Sequence, residues 1–358
     1  MRLKSVYLEN FRNYRRIEVD TDNDLVVIVG DNASGKTNFI ESIYFLAYLK
    51  SFRAPDNLLV NSQEDYFKIV AFTDDKKLET IVQVKPTVRR GFKIDDQKIK
   101  RLNWRTFRTV LFVPTDLNLF ILGPSARRRY LNETLSQLNP AYAADITGLE
   151  HVLKQRAALL YNIGINKSER SELDYWDLQL CEISLRLSKS RRDYLGYVGD
   201  RFNEIYASLT SIPSEFRIEY KGMPAEYNSD LFLSRLREYQ DAEIRSGQNL
   251  FGPHRDDFNI YKDGELNIYN SSRGELRAQI LSIKLLQSEY LTIGQEKPII
   301  LLDDVFSELD ETRREMLLNS LHGHQIFITT TDDHNAKAVV PEAKILKTLD
   351  NQIIFDPP

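Results

Sequence analysis

The chain contains a single cysteine, Cys181, among its 358 residues. An internal disulfide framework is therefore impossible, and a cysteine-ligated zinc site is excluded with it. No apolar run approaches the roughly 20 residues needed to cross a bilayer, and the start, Met1-Arg2-Leu3-Lys4, lacks the apolar stretch of a secretory leader. These absences lead to the expectation of a reduced, cytoplasmic, soluble protein with no membrane association. Positive charge is also short, with a formal net charge of −4. Affinity for nucleic acid can then come only from local clustering. Repeats and low-complexity tracts are missing as well. What is present is ordinary for a folded chain: 42% hydrophobic and 28% charged residues, enough for one large domain or two of common size.

The most informative stretch is Gly30-Asp31-Asn32-Ala33-Ser34-Gly35-Lys36-Thr37, which fits G-x-x-x-x-G-K-[ST]. Before it, residues 25–29 form an unbroken apolar run of strand length. After it, residues 38–47 carry apolar side chains at helical spacing, without Gly or Pro. Strand, glycine-bounded loop and helix together make the phosphate cradle of P-loop nucleotidases. Gly30 and Gly35 permit the turns that aim backbone N–H groups at phosphate oxygens. Lys36 is expected to reach the β- and γ-phosphates of ATP and Thr37 to ligate Mg²⁺, with the helix N-terminus adding its positive dipole end. Every residue of the loop is thus a candidate nucleotide contact.

Along the chain, residues 2–10 alternate as a strand, and 16–20 can pair back on it across the turn Asn10-Phe11-Arg12-Asn13-Tyr14. Residues 66–72 and 78–84 read as a hairpin, followed by short strands at 91–94 and 110–113. After Pro114 the texture turns helical. Ile146, Leu149, Leu153, Ala157 and Leu160 share one helix face, and Leu173, Trp176, Leu180, Ile183, Leu187, Tyr194 and Tyr197 mark a long second helix. The register then shifts to Val198, Phe202, Ile205 and Leu209. Strands return at 216–220 and 257–261 around a helix near 230–243. A long helix follows over 272–291, then strands at 298–304, 325–331, 343–347 and 351–355. The expected fold is α/β: a nucleotide-binding lobe with mixed sheets from residues 1–115 and 247–358, and an inserted, mainly α-helical domain over 116–246.

A P-loop needs a carboxylate near its metal, and the apolar strand ending in Asp303-Asp304 supplies one. Asp303 is expected to hold Mg²⁺, directly or through water, and Asp304 to orient or deprotonate the attacking water. The two parts lie far apart in sequence with the helical segment between them, as in a head interrupted by an insertion.

Here the pattern resembles a known group. Asp303-Asp304-Val305-Phe306-Ser307-Glu308-Leu309-Asp310 is similar to the joined Walker B and D-loop of ABC-type ATPases, and Ser271-Ser272-Arg273-Gly274-Glu275 to their signature motif. Asn10-Phe11-Arg12-Asn13-Tyr14 resembles the opening of the SMC-like branch. Phe251-Gly252-Pro253-His254-Arg255-Asp256-Asp257, with Arg127-Arg128-Arg129-Tyr130-Leu131, narrows the resemblance to the RecF family of DNA replication and repair proteins, over residues 3–330. The resemblance implies an ABC-type (SMC-like) P-loop ATPase head. It implies that the Ser272 hydroxyl and the Gly274 N–H bind the γ-phosphate of ATP held by an opposite subunit. ATP binding would then form a homodimer on DNA, duplex or at gapped and single-stranded junctions, and slow hydrolysis would release it. RecO and RecR are the implied partners, and loading of RecA at single-strand gaps the implied task. Arg12, beside the P-loop strand in such heads, becomes a nucleotide candidate. Read without the resemblance, Ser272 is a favourable helix N-cap, and the two roles are compatible.

Several positions depart from the ABC pattern. Ala33 stands where many SMC-like loops have Gly, Arg273 and Glu275 replace the signature Gly and Gln, Thr115-Asp116 replace the Q-loop glutamine, and Thr331 replaces the switch His. The departures imply a slow, DNA-stimulated ATPase used as a switch, and favour the RecF family over a transporter subunit. A small-molecule P-loop kinase is the alternative, but it leaves Ser272 and the D-loop-like segment without a role.

Between Lys85 and Arg108 lie nine basic residues against Asp95 and Asp96, a local +7. Arg89, Arg90, Lys93, Lys100, Arg101 and Arg105 are the DNA candidates, with Phe92, Trp104 and Phe107 interleaved; the other reading is a solvated hairpin face whose aromatics serve the core. Lys189, Arg191 and Arg192 on the long helix form a weaker second cluster. Arg127, Arg128 and Arg129 are open to DNA, a partner head or nearby carboxylates, and His254 reads as structural.

Overall fold

A computed structural model describes residues 1–101, 104, 106–210, 213–306, 309–331, 343–349 and 352–355. The chain divides into two compact units, Met1–Asp116 with Leu291–Pro358, and Leu117–Tyr290.

The first unit holds two sheets. Strands β1 (Leu3–Phe11) and β2 (Tyr14–Asp20) form the expected antiparallel pair, with Val6 opposite Val19 and Leu8 opposite Ile17. Their alternation buries one face, which fixes the register, because a slip of one residue would turn Val6 and Leu8 to solvent. The sheet continues through β4 (Tyr66–Thr73), β5 (Lys77–Gln83), β6 (Arg89–Ile94) and the edge strand β7 (Gln97–Lys98). The second sheet has the order β15-β14-β3-β13-β12-β8. Here β3 (Leu25–Val29), β8 (Thr109–Phe112), β12 (Ile299–Asp303), β13 (Ile326–Thr330) and β14 (Lys344–Leu349) run parallel, and β15 (Gln352–Phe355) closes one edge antiparallel. The interior strands read as continuous apolar runs because a parallel sheet is covered on both faces. Helix α1 (Lys36–Tyr48) sends Phe39, Ile40, Ile43, Phe45 and Leu46 into one core shared with residues of both sheets. Gln325 ties the sheets at their start: it accepts the Leu3 N–H at 2.8 Å and donates to the carbonyls of Leu3 and Thr21 at 2.8 and 3.0 Å.

The second unit contains α2 (Asn118–Ile121), α3 (Pro124–Leu138), α4 (Pro140–Gly164), the long α5 (Leu173–Thr210) and α6 (Ser229–Ser246). It also holds the antiparallel sheet β11-β10-β9, from β9 (Phe216–Lys221), β10 (Asp257–Lys262) and β11 (Glu265–Leu266), and helix α7 (Arg273–Thr292). Residues 247–290 thus fall with the helical elements, not with the ATPase lobe where the sequence places them. The reason is burial: Phe258 and Ile260 of β10 and Leu276, Ile283 and Leu286 of α7 share one apolar cluster with Leu187, Tyr194 and Phe202 of α5. The register shift near Val198 does not break α5, which runs unbroken for 38 residues. Among the described residues no helix is long and apolar enough to cross a membrane.

Candidate functional site

In the first unit, β3, β12 and β13 all end at the same edge of the parallel sheet, where a crevice ligand is expected. The P-loop, Asp303 and Thr329 meet there. Two glycines are required here, Gly30 by contact and Gly35 by contact and conformation. A Cβ on Gly30 would fall 1.9 Å from Thr348 Oγ1 of β14 and 2.9 Å from Ser34 Oγ, so these side chains would have to shift. Gly35, at φ 111°, caps α1 in a left-handed conformation, and a Cβ there would fall 2.6 Å from the Tyr14 hydroxyl. The Asn13-Tyr14 segment therefore braces the loop from β2. Ala33 adopts φ 65°, so the alanine sits where glycine would be unstrained. Ser34 Oγ and Thr348 Oγ1 lie 2.5 Å apart, a second tie from β14 to the loop.

Lys36 lies buried, its ammonium donating to the carbonyls of Gly30 and Asp31 at 2.7 Å each. Burial pushes its pKa below the ordinary lysine value, against the pull of Asp304, Asp303 and Asp31. Thr37 Oγ1 donates to Asp303 Oδ1 at 2.8 Å, and Thr329 Oγ1 donates to the same oxygen at 2.7 Å while accepting the Asp304 N–H at 3.0 Å. Burial raises the Asp303 carboxyl above its usual value, offset in part by those two hydroxyls. A divalent cation would restore the ionised form, and a hydroxyl paired with a carboxylate is a hard oxygen set that fits magnesium. Asp304 stands at φ 54°, turned out of the strand. A cavity of about 220 Å³ is lined by loop residues with Asp304, Thr329 and Thr331, so the residue at the switch position does face the cradle.

Arg12 does not stand alone. Its guanidinium makes two 2.8 Å bonds to Glu41 of α1 and a third, also 2.8 Å, to the Leu58 carbonyl. Glu41 is fully buried and also accepts from Arg53 at 2.5 Å and Ser51 at 2.5 Å. Burial alone would raise its pKa; Arg12, Arg53 and Ser51 together hold it below the usual carboxylate value. Arg53 lines the P-loop cavity and, with Arg12, Asn13 and Asn38, a neighbouring pocket of about 650 Å³. Sequence reasoning missed Arg53. The available signal was Glu41, an acid inside an otherwise apolar helix, which demands a cationic partner.

The signature segment belongs to the second unit. Ser272 precedes α7; its Oγ accepts the Glu275 N–H at 3.3 Å, while Glu275 Oε2 accepts the Ser272 N–H at 2.7 Å. This is a capping box, so the N-cap reading of Ser272 holds. Gly274 lies in the first turn of the same helix. Ser307 and Glu308 lie outside the described residues.

The basic candidates separate. Arg90 bonds Asp56 at 2.5 Å and the Leu49 carbonyl, and Lys93 bonds Glu79 at 2.6 Å, which also holds Lys68. Binding DNA through Arg90 or Lys93 would mean exchanging these carboxylates for phosphates. Arg89, Lys100 and Arg101 are exposed, and Arg105 lies outside the described residues. The interleaved aromatics serve the core: Phe92 packs on Trp104 at 5.5 Å, and the Trp104 indole donates to the Leu46 carbonyl at 2.6 Å. On α5, Arg191 is buried against Asp256 at 2.6 Å and Arg192 caps the Met223 carbonyl, so that cluster is structural. Arg127 settles on a carboxylate, bonding Asp257 at 2.5 and 2.9 Å, and Arg128 donates to the Asp256 carbonyl at 2.9 Å. His254 pairs with the Asn249 carbonyl at 3.0 Å, and burial lowers its pKa.

Comparison with known proteins agrees with this geometry. The family model for the RecF/RecN/SMC N-terminal domain matches residues 2–352. A DNA replication and repair protein RecF of Heliobacterium modesticaldum is 34% identical over 348 residues, covering 93% of each chain. The RecF protein of Bacillus cereus strain AH820 is 33% identical, covering 97% of this chain and 96% of its own. A solved structure of the recombination mediator protein RecF with an ATP analogue, described as part of the RecFOR pathway, superposes with a TM-score of 0.90 at 29% identity, covering 99% of this chain and 98% of the other. An SMC head bound to the C-terminal winged-helix domain of ScpA shares the fold alone, with a TM-score of 0.57 at 14% identity and coverage of 99% and 98%. The chain has the ABC-type, SMC-like head fold and belongs to the RecF family of DNA replication and repair proteins.

Proposed function

We propose that the protein is an ATP-gated DNA clamp for recombinational repair and replication. The observation that carries this reading is the meeting of Thr37 and Asp303 at 2.8 Å beside the Lys36 ammonium, a cradle and metal partner drawn from distant parts of one chain. In this reading the P-loop N–H groups and Lys36 bind the triphosphate, Thr37 and Asp303 hold Mg²⁺, and Asp304 orients water. Held there, magnesium would neutralise charge on the triphosphate. Arg12 and Arg53, held in place by Glu41, border the pocket next to the phosphates, where they bind the rest of the nucleotide. Ser272 and Gly274 take the γ-phosphate of ATP bound to a second copy, so ATP joins two heads over DNA and slow hydrolysis parts them. RecR and RecO act with it, a pairing supported by the place of its structural relative in the RecFOR pathway, and its product is a site for RecA loading at single-strand gaps.

On this account, gel-filtration with ATP and magnesium gives a dimer for the parent chain and a monomer for Lys36→Met. Asp304→Asn accumulates as dimer because water is no longer oriented. A parent chain that stays monomeric with both ATP and DNA removes the reading.

The DNA contact is electrostatic and sits on the exposed β6–β7 edge. Arg89→Ala/Lys100→Ala/Arg101→Ala should flatten the slope of log affinity against log salt by about 2–3, measured by fluorescence anisotropy on gapped duplex. An unchanged slope clears this edge of any DNA role.

A further inference from the structure

Glu275 is an acidic residue in a motif that, in this reading, receives a polyphosphate. The capping box does not require its charge, since glutamine forms the same reciprocal bonds. The structure answers that charge instead. Lys262, the last residue of β10, has a side chain only 12% exposed, and its ammonium binds Glu275 Oε1 while also reaching the Asn270 carbonyl at 3.5 Å. The other carboxylate oxygen, Oε2, takes the Ser272 N–H at 2.7 Å. Both oxygens of Glu275 are thereby engaged. Lys262 first, and the Ser272 N–H second, hold its carboxyl below the usual range. Beneath the loop, Asn267 donates to Gln279 at 2.7 Å, and Gln279 donates to Ser271 Oγ at 3.0 Å, which fixes the neighbouring serine. Ser272 is exposed and its oxygen acts as a cap acceptor, so its O–H proton is free to donate to an oxyanion.

We infer that Lys262 is the counter-charge that allows this acidic signature segment to accept a phosphate: it neutralises Glu275 where a partner's triphosphate would otherwise meet a bare carboxylate next to the Ser272 hydroxyl and the Gly274 N–H. The inference rests on the trans-phosphate reading proposed above. Repulsion between a carboxylate and a phosphate grows as water leaves a closing interface, so a compensating cation matters most in the joined state and little in the separate chain. Lys262 acts here as a positioning residue, through Glu275, and touches no nucleotide itself.

Sedimentation velocity of the full chain with ATP and magnesium tests this. Lys262→Gln should weaken ATP-dependent self-association about tenfold, equivalent to about 1.4 kcal/mol, with ATP affinity of the separate chain unchanged. Lys262→Arg should associate like the parent. Glu275→Gln should associate at least as tightly as the parent, and adding Lys262→Gln to it should have less than about a twofold effect. The inference is overturned if Lys262→Gln associates like the parent, or if the double variant is as weak as the single one, which would make the lysine a structural support independent of charge. A parent chain that does not associate with ATP overturns the trans-phosphate reading and this inference with it; a parent that associates beside unaffected variants overturns this inference alone.

Discussion

Lys36→Met should lower ATP affinity by at least about a hundredfold, because two charge-assisted bonds to phosphate oxygens at about 1.5–3 kcal/mol each are lost. The substitution keeps the apolar stem and its packing on α1. It releases only the carbonyls of Gly30 and Asp31, which now accept the ammonium at 2.7 Å each and can turn to water. Stability should therefore change little, with a melting temperature within about 4 °C of the parent, since one kcal/mol moves a chain of this size by about 2–4 °C. Titration calorimetry with a slowly hydrolysed ATP analogue measures the first quantity and differential scanning fluorimetry the second. A loss of affinity below about fivefold, roughly 1 kcal/mol, would mean that Lys36 is not a phosphate ligand. A collapse in melting temperature would mean that its work is structural.

The second large effect lies in the helical unit and concerns stability. Arg156 is fully buried on α4, bonding Asp177 at 2.7 Å, Asn249 at 2.9 Å and Glu243, itself fully buried, at 2.7 Å. Arg156→Met should cost about 3–5 kcal/mol, because two carboxylates are left in a dry interior without a cation. The pH dependence gives a check on the cause. Burial already raises the Asp177 carboxyl above its ordinary value despite Arg156, so its protonated form is favoured on folding. A raised acid contributes stability that is present below the unfolded value of about 3.9 and lost as pH rises through the folded one. Without Arg156 this loss deepens, so the variant should fall furthest behind the parent at neutral pH and regain ground towards pH 4–5. Urea unfolding at several pH values measures it. A deficit that does not change with pH would point to lost packing instead of stranded charge.

Much of this architecture was legible in the sequence, for reasons that can be named. The parallel strands β3, β8, β12 and β13 announced themselves as apolar runs because both their faces are covered. The P-loop and Asp303 could be paired because their chemistry requires each other. The assignment of β10 and α7 to the helical unit was not legible, since alternation shows that a strand has a buried face without showing what covers it. Helix α3 was hidden by polarity: only Ala126, Tyr130, Leu131, Thr134 and Leu135 of its fifteen residues are buried, and its arginines face Asp256 and Asp257 across the fold. The basic segment misled in part, because composition cannot distinguish Arg89, which is exposed, from Arg90, which Asp56 holds. Arg53 was invisible without Glu41 as a guide, because its role depends on a contact twelve residues away that only the folded loop creates.

The central claim is that one ATP site is shared by two chains, the P-loop from one and Ser272 from the other. Mixing two defective variants tests it most directly. Lys36→Met retains an intact Ser272, and Ser272→Arg retains an intact P-loop, so each alone should remain monomeric with ATP and magnesium. Combined in equal amounts, they can build one complete site from opposite chains, and sedimentation velocity should show a mixed dimer that neither variant forms alone. A parent chain that dimerises with ATP while the mixture stays monomeric, or a Ser272→Arg variant that dimerises as the parent does, would contradict the account.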